Sequence, residues 1–228
     1  MNPLSMPLAL SLARPAPAKR TRLPASERRE EVVAAVIELA REHGPEGITT
    51  QAIAARIGVT HGALFRHFPD KAAMWIAVFD WVQTELGRVV GAAFTAGGEP
   101  LAILERVFHA HVDFVARHPG VPRILFHELQ RPADSAFHAR VRQMVSSYRQ
   151  RLCALLIVAK ERGQLPPTLD EEAAAVLFIG TVQGLVVQNL LFNGQTGMQD
   201  SARRLFPLLL DGFRGPIHGG NGRIGDTQ

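Results

Sequence analysis

Hydroxyl, imidazole and basic side chains follow one another closely between positions 49 and 71 of this 228-residue chain. The stretch reads TTQAIAARIGVTHGALFRHFPDK, and its polar side chains are mainly hydrogen-bond donors. Threonine and lysine donate to phosphate oxygens, whereas arginine can form a bidentate pair with O6 and N7 of guanine. These residue types point to nucleic-acid binding, with Arg66 reading a guanine and His61 donating to a base acceptor.

Two short helices must position these side chains, because apolar residues recur at helical spacing on both sides of Gly58-Val59-Thr60. A short turn that contains glycine between two such helices is typical of a helix-turn-helix. The first turn of the second helix carries only small residues beside His61. This composition suits a helix that enters a major groove with its N-terminus first.

The same stretch resembles the TetR family of tetracycline-repressor-like transcription regulators. The resemblance covers about residues 27–80, whereas residues 81–228 are similar only in the number and length of their helices. Two positions depart from the family pattern: Phe65 replaces the usual tyrosine and lacks its phosphate hydrogen bond, and Ile57 replaces a commoner alanine. The residues that carry the resemblance are Thr49-Thr50, Ile53-Ala54, Ile57-Gly58-Val59-Thr60, His61, Gly62, Ala63, Leu64, Phe65, His67, Phe68, Asp70 and Lys71.

The resemblance implies a set of DNA-contacting residues. Thr50, Thr60 and His67 would contact phosphate, and Lys71 would add a charge contact at the start of the fourth helix. The alternative is that the stretch merely builds a three-helix core, and this is our interpretation of Ile53, Leu64 and Phe68. The full set of expected DNA-binding residues is Thr49, Thr50, Thr60, His61, Gly62, Ala63, Phe65, Arg66, His67 and Lys71.

Helical periodicity continues along the rest of the chain, with no alternating strand pattern. We therefore expect an all-α fold of nine helices, in which a three-helix head precedes a larger helical body. Ser26 is expected to cap the first helix, which would end at His43. The expected divisions are a basic arm at 1–25, the helix-turn-helix domain at 26–72, a ligand-binding and dimerisation domain at 73–214, and a flexible tail at 215–228.

The resemblance makes helices four to seven a ligand-binding body and helices eight and nine a dimer face. An apolar or aromatic effector is expected, because large apolar side chains dominate the candidates for a pocket: Trp75, Phe79, Phe108, His111, Phe114, Met144, Tyr148 and Gln183. The eighth helix is apolar on too many sides for one partner, so a second chain is expected to cover it. The expected dimer residues are Gly180, Gly184, Val187, Leu191, Leu205 and Leu209.

Composition and motifs argue against several other classes of protein. The formal net charge of +4 resides in residues 1–26, which favours a nucleic-acid arm or a solvated leader. Cys153 is the only cysteine, so a disulfide scaffold is excluded and a reducing cytoplasm is favoured. His127-Glu128 lacks the second histidine of a HExxH zinc motif, and no Gly-x-Ser-x-Gly elbow occurs. We expect no catalytic residues, no cofactor and no metal site, with metal sensing as a minor alternative.

Residues 173–192 contain no charge and are long enough to cross a bilayer, but three amides interrupt them, and a buried helix explains them as well. We therefore expect no membrane partner. The sequence predicts a dimeric, ligand-responsive DNA-binding regulator, most simply a repressor of a palindromic operator. The alternative is a DNA-bound architectural or protein-interaction factor without a small-molecule effector.

Overall fold

The computed structural model describes residues 24–130, 132–192, 194–195 and 197–215. Most of the expected arm at 1–25 and tail at 215–228 lies outside these residues. Within them the chain forms nine helices and no strand, which confirms the expected all-α class. The helices are α1 (Ala25–His43), α2 (Thr50–Ile57), α3 (His61–Phe65), α4 (Lys71–Thr95), α5 (Pro100–Arg117), α6 (Gly120–Glu128), α7 (Ala136–Glu161), α8 (Glu171–Leu191) and α9 (Met198–Arg214).

Side-chain caps fix the starts of α2, α3 and α4. Thr49, Thr60 and Asp70 each accept a hydrogen bond from the backbone N–H three residues later, at 3.0, 3.2 and 2.7 Å. Such a cap contributes about 0.5–2 kcal/mol. The prediction for α1 was wrong: Ser26 lies inside the helix, and Pro24 precedes its first residue without a side-chain cap. The fixed φ of Pro24, −52°, starts the helix earlier than the serine would.

The hydrophobic core of the head, α1 to α3, continues into the body. Apolar residues of α1, α2 and α3 pack together with the first half of α4 and with Val121 and Ile124 of α6. Helix α6 approaches α1 so closely that a Cβ atom on Gly120 would lie 2.1 Å from the carbonyl oxygen of Ile37. Only glycine fits there without a shift of backbone. The head is therefore joined to the body through α6 as well as through α4, across the expected boundary at residue 72.

The body, α4 to α9, contains a second core built from its long helices. Phe108 and Phe178 are fully buried there, with ring centroids 5.4 Å apart. A smaller third cluster lies between α4 and α7 and centres on Phe79, Phe137 and Val141. The large apolar side chains of the body are thus divided between the second core and the third cluster.

Helix α8 is the one helix, among the described residues, that is long and apolar enough to cross a membrane. One side of it packs in the body core through Phe178, Val182 and other residues. Its N-terminus is paired with α7, because Arg149 contacts Glu172 at 2.8 Å and Lys160 contacts Glu171 at 2.9 Å. The opposite side of α8 is exposed in the single chain and largely apolar.

Candidate functional site

The turn between α2 and α3 is set by one glycine. Gly58 adopts φ 67° and ψ 40°, a left-handed conformation that side chains with a Cβ atom rarely adopt. The N–H of the next residue, Val59, donates to the carbonyl of Ala54 at 2.9 Å and closes the end of α2. Thr60 then caps α3. The start of α3 is therefore held at a defined position relative to α2.

Helix α3 divides its side chains between the core and the solvent. Leu64 is buried at 1% exposure and anchors the helix on the head core. His61, Phe65 and Arg66 are exposed, and a Cβ atom on Gly62 would meet nothing within 4 Å. This face is the one that the sequence assigns to base contacts. Its bulk is low near the N-terminus of α3, as entry into a groove requires.

His61 is held on both sides by neighbours that are themselves candidate DNA-binding residues. Its Nε2 atom lies 2.8 Å from Oγ1 of Thr50. Its ring also packs edge-on against Phe65, with centroids 4.7 Å apart. The imidazole is thus oriented in the free protein by a hydrogen bond that it shares with the hydroxyl of Thr50.

Two other threonine hydroxyls keep a donor available for DNA. Thr49 and Thr60 accept from the backbone N–H groups of Ala52 and Ala63, so their own O–H protons are not consumed by the caps. Both side chains belong to exposed residues at helix N-termini. This arrangement suits contacts with phosphate oxygens.

The segment between α3 and α4 is secured by a residue that the sequence reasoning missed. Arg29 of α1 donates to the backbone carbonyl of His67 at 3.3 Å, and its guanidinium lies 4.8 Å from the centre of the Phe68 ring. His67 itself is half-buried. The Nζ atom of Lys71 lies 5.3 Å from the Trp75 ring, a cation–π contact within reach of the same surface. The sequence offered little signal for Arg29, because acidic and basic residues are mixed in the first turns of α1.

An open groove of about 560 Å³ runs between the N-terminus of α1 and α3. Its floor is apolar and includes Val32 and Ile57, whereas Arg28, Arg66 and His67 bring basic groups to its lining. Arg28 is paired with Glu31 at 2.5 Å. The basic groups extend the candidate interface from α3 toward α1.

The eight candidate pocket residues do not share one site. Trp75 and Phe114 pack in the head core, because α4 and α5 reach beneath α1 at these positions. Phe79 and Met144 belong to the small third cluster, beside a cavity of about 30 Å³. Gln183 lies on the exposed outer face of α8 and so has no place in an interior pocket. Three candidates remain together in the body: Phe108, His111 and Tyr148.

His111 and Tyr148 are in ring contact, with centroids 5.5 Å apart. Nδ1 of His111 and the hydroxyl oxygen of Tyr148 are both shielded from solvent and have no hydrogen-bond partner among the described residues. Burial lowers the pKa of His111 to about 4 and raises the pKa of Tyr148 above its usual range. Both side chains are therefore neutral at neutral pH.

The outward face of α8 forms a continuous exposed stripe. Val176 and Leu177 are each 52% exposed, and Leu191 is 67% exposed. Gly180 and Gly184 lie between them with open space at their Cβ positions. The face of α9 needs a correction: Leu209 is buried in its own chain, Leu205 is half-buried, and Leu208 is 66% exposed. The core side of α9 repeats at Ala202, Phe206, Leu209 and Phe213, which turns Leu208 outward.

Within the described ranges, no group of three or more histidine, cysteine, aspartate or glutamate side chains is arranged to hold a metal ion. The thiol of Cys153 is buried, and burial raises its pKa. The thiolate form, which attacks substrates and binds metals, is therefore disfavoured.

Both parts of the chain match known families. Residues 32–78 match the model of bacterial regulatory proteins of the tetR family, and residues 130–206 match the tetracyclin repressor-like C-terminal domain. The nucleoid occlusion factor SlmA of Vibrio cholerae is 28% identical over 158 residues, 69% of this chain and 81% of that protein. SlmA of Photobacterium profundum is 26% identical over 160 residues, 70% of this chain and 82% of that protein.

Solved structures of regulators share the fold. The fatty acid degradation regulator FadR of Bacillus halodurans superposes with a TM-score of 0.69 at 19% identity, over 86% of this chain and 99% of that chain. The ketosteroid regulator KstR2 of Mycobacterium tuberculosis gives 0.68 at 21% identity, over 81% and 94%. A TetR regulator from Haloarcula marismortui gives 0.71 at 22% identity, over 82% and 98%.

Proposed function

Because the chain belongs to the TetR family of DNA-binding transcription regulators, we propose that it is a homodimeric repressor that a small effector releases from a palindromic operator. The observation that carries the proposal is the exposed, preoriented face of α3. His61 is held by Thr50 and Phe65, and Arg66 is exposed at the other end of α3. A side chain that is already oriented loses less entropy on binding, which favours sequence reading over loose attraction to phosphate.

Two copies are needed to place two such faces on one duplex. The exposed stripe of α8 is apolar, runs for most of the helix and contains Gly180 and Gly184, which permit close approach of another helix. A second copy of α8, with Leu208 of α9 at its side, buries this stripe in a symmetric interface. The two α3 helices then read half-sites about one DNA turn, roughly 34 Å, apart.

The described packing offers a route from the body to the head. Helix α4 carries residues of both main cores, and α6 lies directly against α1 at Gly120. A ligand that binds better to one arrangement of the body shifts the population of head positions through these two helices. DNA affinity falls if the favoured arrangement separates the two α3 helices by the wrong distance.

We assign the protein to the cytoplasm. Its only cysteine is an unpaired, buried thiol, and its apolar helix α8 packs by one side against α5, α7 and α9. The acidic N-terminus of α8 is tied to α7 by ion pairs. These contacts suit a core and interface helix rather than a lipid-facing one.

Selection of a randomised duplex library on the purified full-length protein, followed by sequencing, tests the DNA-reading part. We expect an enriched inverted repeat, whose genomic positions identify regulated genes and suggest effectors. Absence of enrichment, with salt-sensitive binding to all duplexes, contradicts a sequence-specific repressor. A candidate effector must then lower operator affinity at saturation, and unchanged affinity contradicts the ligand response.

A second candidate function is favoured by the curated relatives, which are named nucleoid occlusion factors. In this alternative the dimer stays on DNA, and its body binds another protein instead of a small molecule. The two functions differ in what removes the protein from its selected duplex. Effector-induced release supports the repressor, whereas a ternary complex of duplex, dimer and a second protein supports the alternative.

A further inference from the structure

Two buried polar atoms in the body lack hydrogen bonds to the described residues, which lowers the stability of the fold. The hydroxyl of Tyr148 and Nδ1 of His111 are shielded from solvent and find no hydrogen-bond partner in the part of the chain that the structure describes, although the two rings touch. Buried polar groups in folded proteins nearly always have a partner, either protein, water or ligand. Two unpaired groups on neighbouring helices, side by side, indicate a place where a third polar group belongs.

The surroundings of this pair are aromatic. The Tyr148 ring also packs edge-on against Phe94 and Phe178, at 6.4 and 6.5 Å, and Phe178 packs against Phe108 at 5.4 Å. Helices α4, α5, α7 and α8 each contribute at least one ring. We name this group, Phe94, Phe108, His111, Tyr148 and Phe178, the aromatic cluster.

We propose that the aromatic cluster recognises an uncharged aromatic molecule that carries one hydroxyl group, whose oxygen binds both Nδ1 of His111 and the hydroxyl of Tyr148. This inference rests on the ligand response proposed above and names the chemical class of the effector. A neutral imidazole and a phenol together offer one acceptor and one donor, which a single hydroxyl can satisfy at once.

The charges near the cluster argue for a neutral ligand. The neighbouring cation is Arg151, an exposed residue whose guanidinium lies 4.1 Å from the centre of the Phe94 ring. Its charge is solvated, whereas the two unpaired atoms lie deeper. A buried carboxylate needs a buried cation to offset its desolvation, and His111 does not supply one because its pKa is lowered by burial.

The test compares three molecules with the same rings: 2-naphthol, naphthalene and 2-naphthoate. Equilibrium dialysis of the intact protein at neutral pH measures the affinity of each. We expect 2-naphthol to bind more tightly than either of the others. Tighter binding of 2-naphthoate, equal binding of all three, or binding of none overturns the proposal.

Two variants separate recognition from packing. Tyr148→Phe should weaken 2-naphthol binding roughly 2- to 10-fold, leave naphthalene unchanged, and leave the midpoint of thermal unfolding unchanged or higher, because it removes an unpaired hydroxyl. Met144→Leu, in the separate third cluster, is the matched control and should leave 2-naphthol affinity unchanged. If Tyr148→Phe lowers the unfolding midpoint and leaves 2-naphthol affinity intact, the hydroxyl serves structure and the proposal fails.

The same preparations distinguish this proposal from the proposed function. If 2-naphthol binds at the cluster but leaves affinity for the selected duplex unchanged, the ligand class stands and the ligand response fails. If another class of molecule releases the duplex while 2-naphthol does not bind, the ligand response stands and the ligand class is wrong.

Discussion

The Nε2 atom of His61 lies 2.8 Å from the Oγ1 atom of Thr50, so the first residue of α3 is tied to the first residue of α2. The two residues are eleven positions apart and meet because Gly58 turns the chain between their helices. The imidazole on the exposed face of α3 is therefore positioned before any DNA arrives.

Loss of that hydrogen bond should reduce discrimination between bases more than affinity for DNA in general. We expect Thr50→Val to lower the preference for the selected operator over a scrambled duplex by about 1 kcal/mol, because His61 becomes free to rotate. Thr50→Ser keeps the hydroxyl and should behave like the natural protein. Competition binding with both duplexes measures the preference, and an equal loss on both duplexes contradicts an orienting role.

Arg66 and Lys71 should differ in the kind of binding that they support. Arg66→Ala is expected to lose about 1–3 kcal/mol at one base position, while Lys71→Ala weakens all sequences alike and reduces the salt slope by about one ion. Titrations of cognate and scrambled duplexes over a range of salt concentrations separate the two effects. Equal losses for Arg66→Ala on the two duplexes would refute base reading.

Gly120 is expected to be intolerant of any side chain. A Cβ atom there meets the carbonyl oxygen of Ile37 at 2.1 Å, so Gly120→Ala must push α6 away from α1 and should cost about 1–3 kcal/mol or more. Gly87→Ala is the matched control in α4, because its Cβ position is open, and it should stabilise by about 0.5–1 kcal/mol. Urea unfolding of both variants gives the two values, and similar stabilities for both would contradict the close approach.

Dimerisation should depend on the glycines of α8. Gly184→Leu leaves the single chain unstrained, because nothing lies within 4 Å of its Cβ position, but it blocks close approach of a second α8. We expect a shift toward monomer in analytical ultracentrifugation and a loss of binding to the inverted repeat. Gly87→Leu adds the same side chain at another open helical position. A dimeric Gly184→Leu protein would show that the α8 stripe is covered in another way.

Acid should destabilise the body through His111. Its pKa falls from 6.5 to about 4 on folding, so the unfolded chain binds more protons between these values and stability decreases as pH is lowered through this window. The shift corresponds to at most about 3 kcal/mol. His111→Gln should flatten this dependence in denaturant unfolding at several pH values. Part of the pH dependence of stability should remain in this variant, since burial also lowers the pKa of His118. If the variant keeps the full pH dependence, His111 is not a buried neutral group in the folded protein.

The helix-turn-helix could be predicted from the sequence because its determinants are local. Thr49, Thr60 and Asp70 cap helices within three residues of themselves, and Gly58 supplies a conformation that its own backbone allows. The wrong prediction of Ser26 as a helix cap also has a local cause, since Pro24, two residues earlier, precedes the first residue of α1.

The interior of the body could not be predicted in the same way. Trp75 and Phe79 are one turn apart on α4, yet they pack in different clusters, because Trp75 joins the cluster of α1 whereas Phe79 packs with residues of α7. Leu208 and Leu209 are neighbours in sequence, but one is exposed and the other buried. Helical periodicity shows that a helix has an apolar side, but the neighbouring helices decide which group each residue joins.

The packing of Val121 and Ile124 beneath α1 has a consequence for exchange between regulators. A fragment that ends near residue 72 would leave the apolar side of α1 that packs on α6 exposed to solvent. We therefore expect that the DNA-binding head does not fold when it is transferred alone. A chimaera that joins this head to another regulator's body should fold only if it also receives the α6 surface that fits Gly120 against Ile37. In such exchanges, operator preference is inherited together with α6.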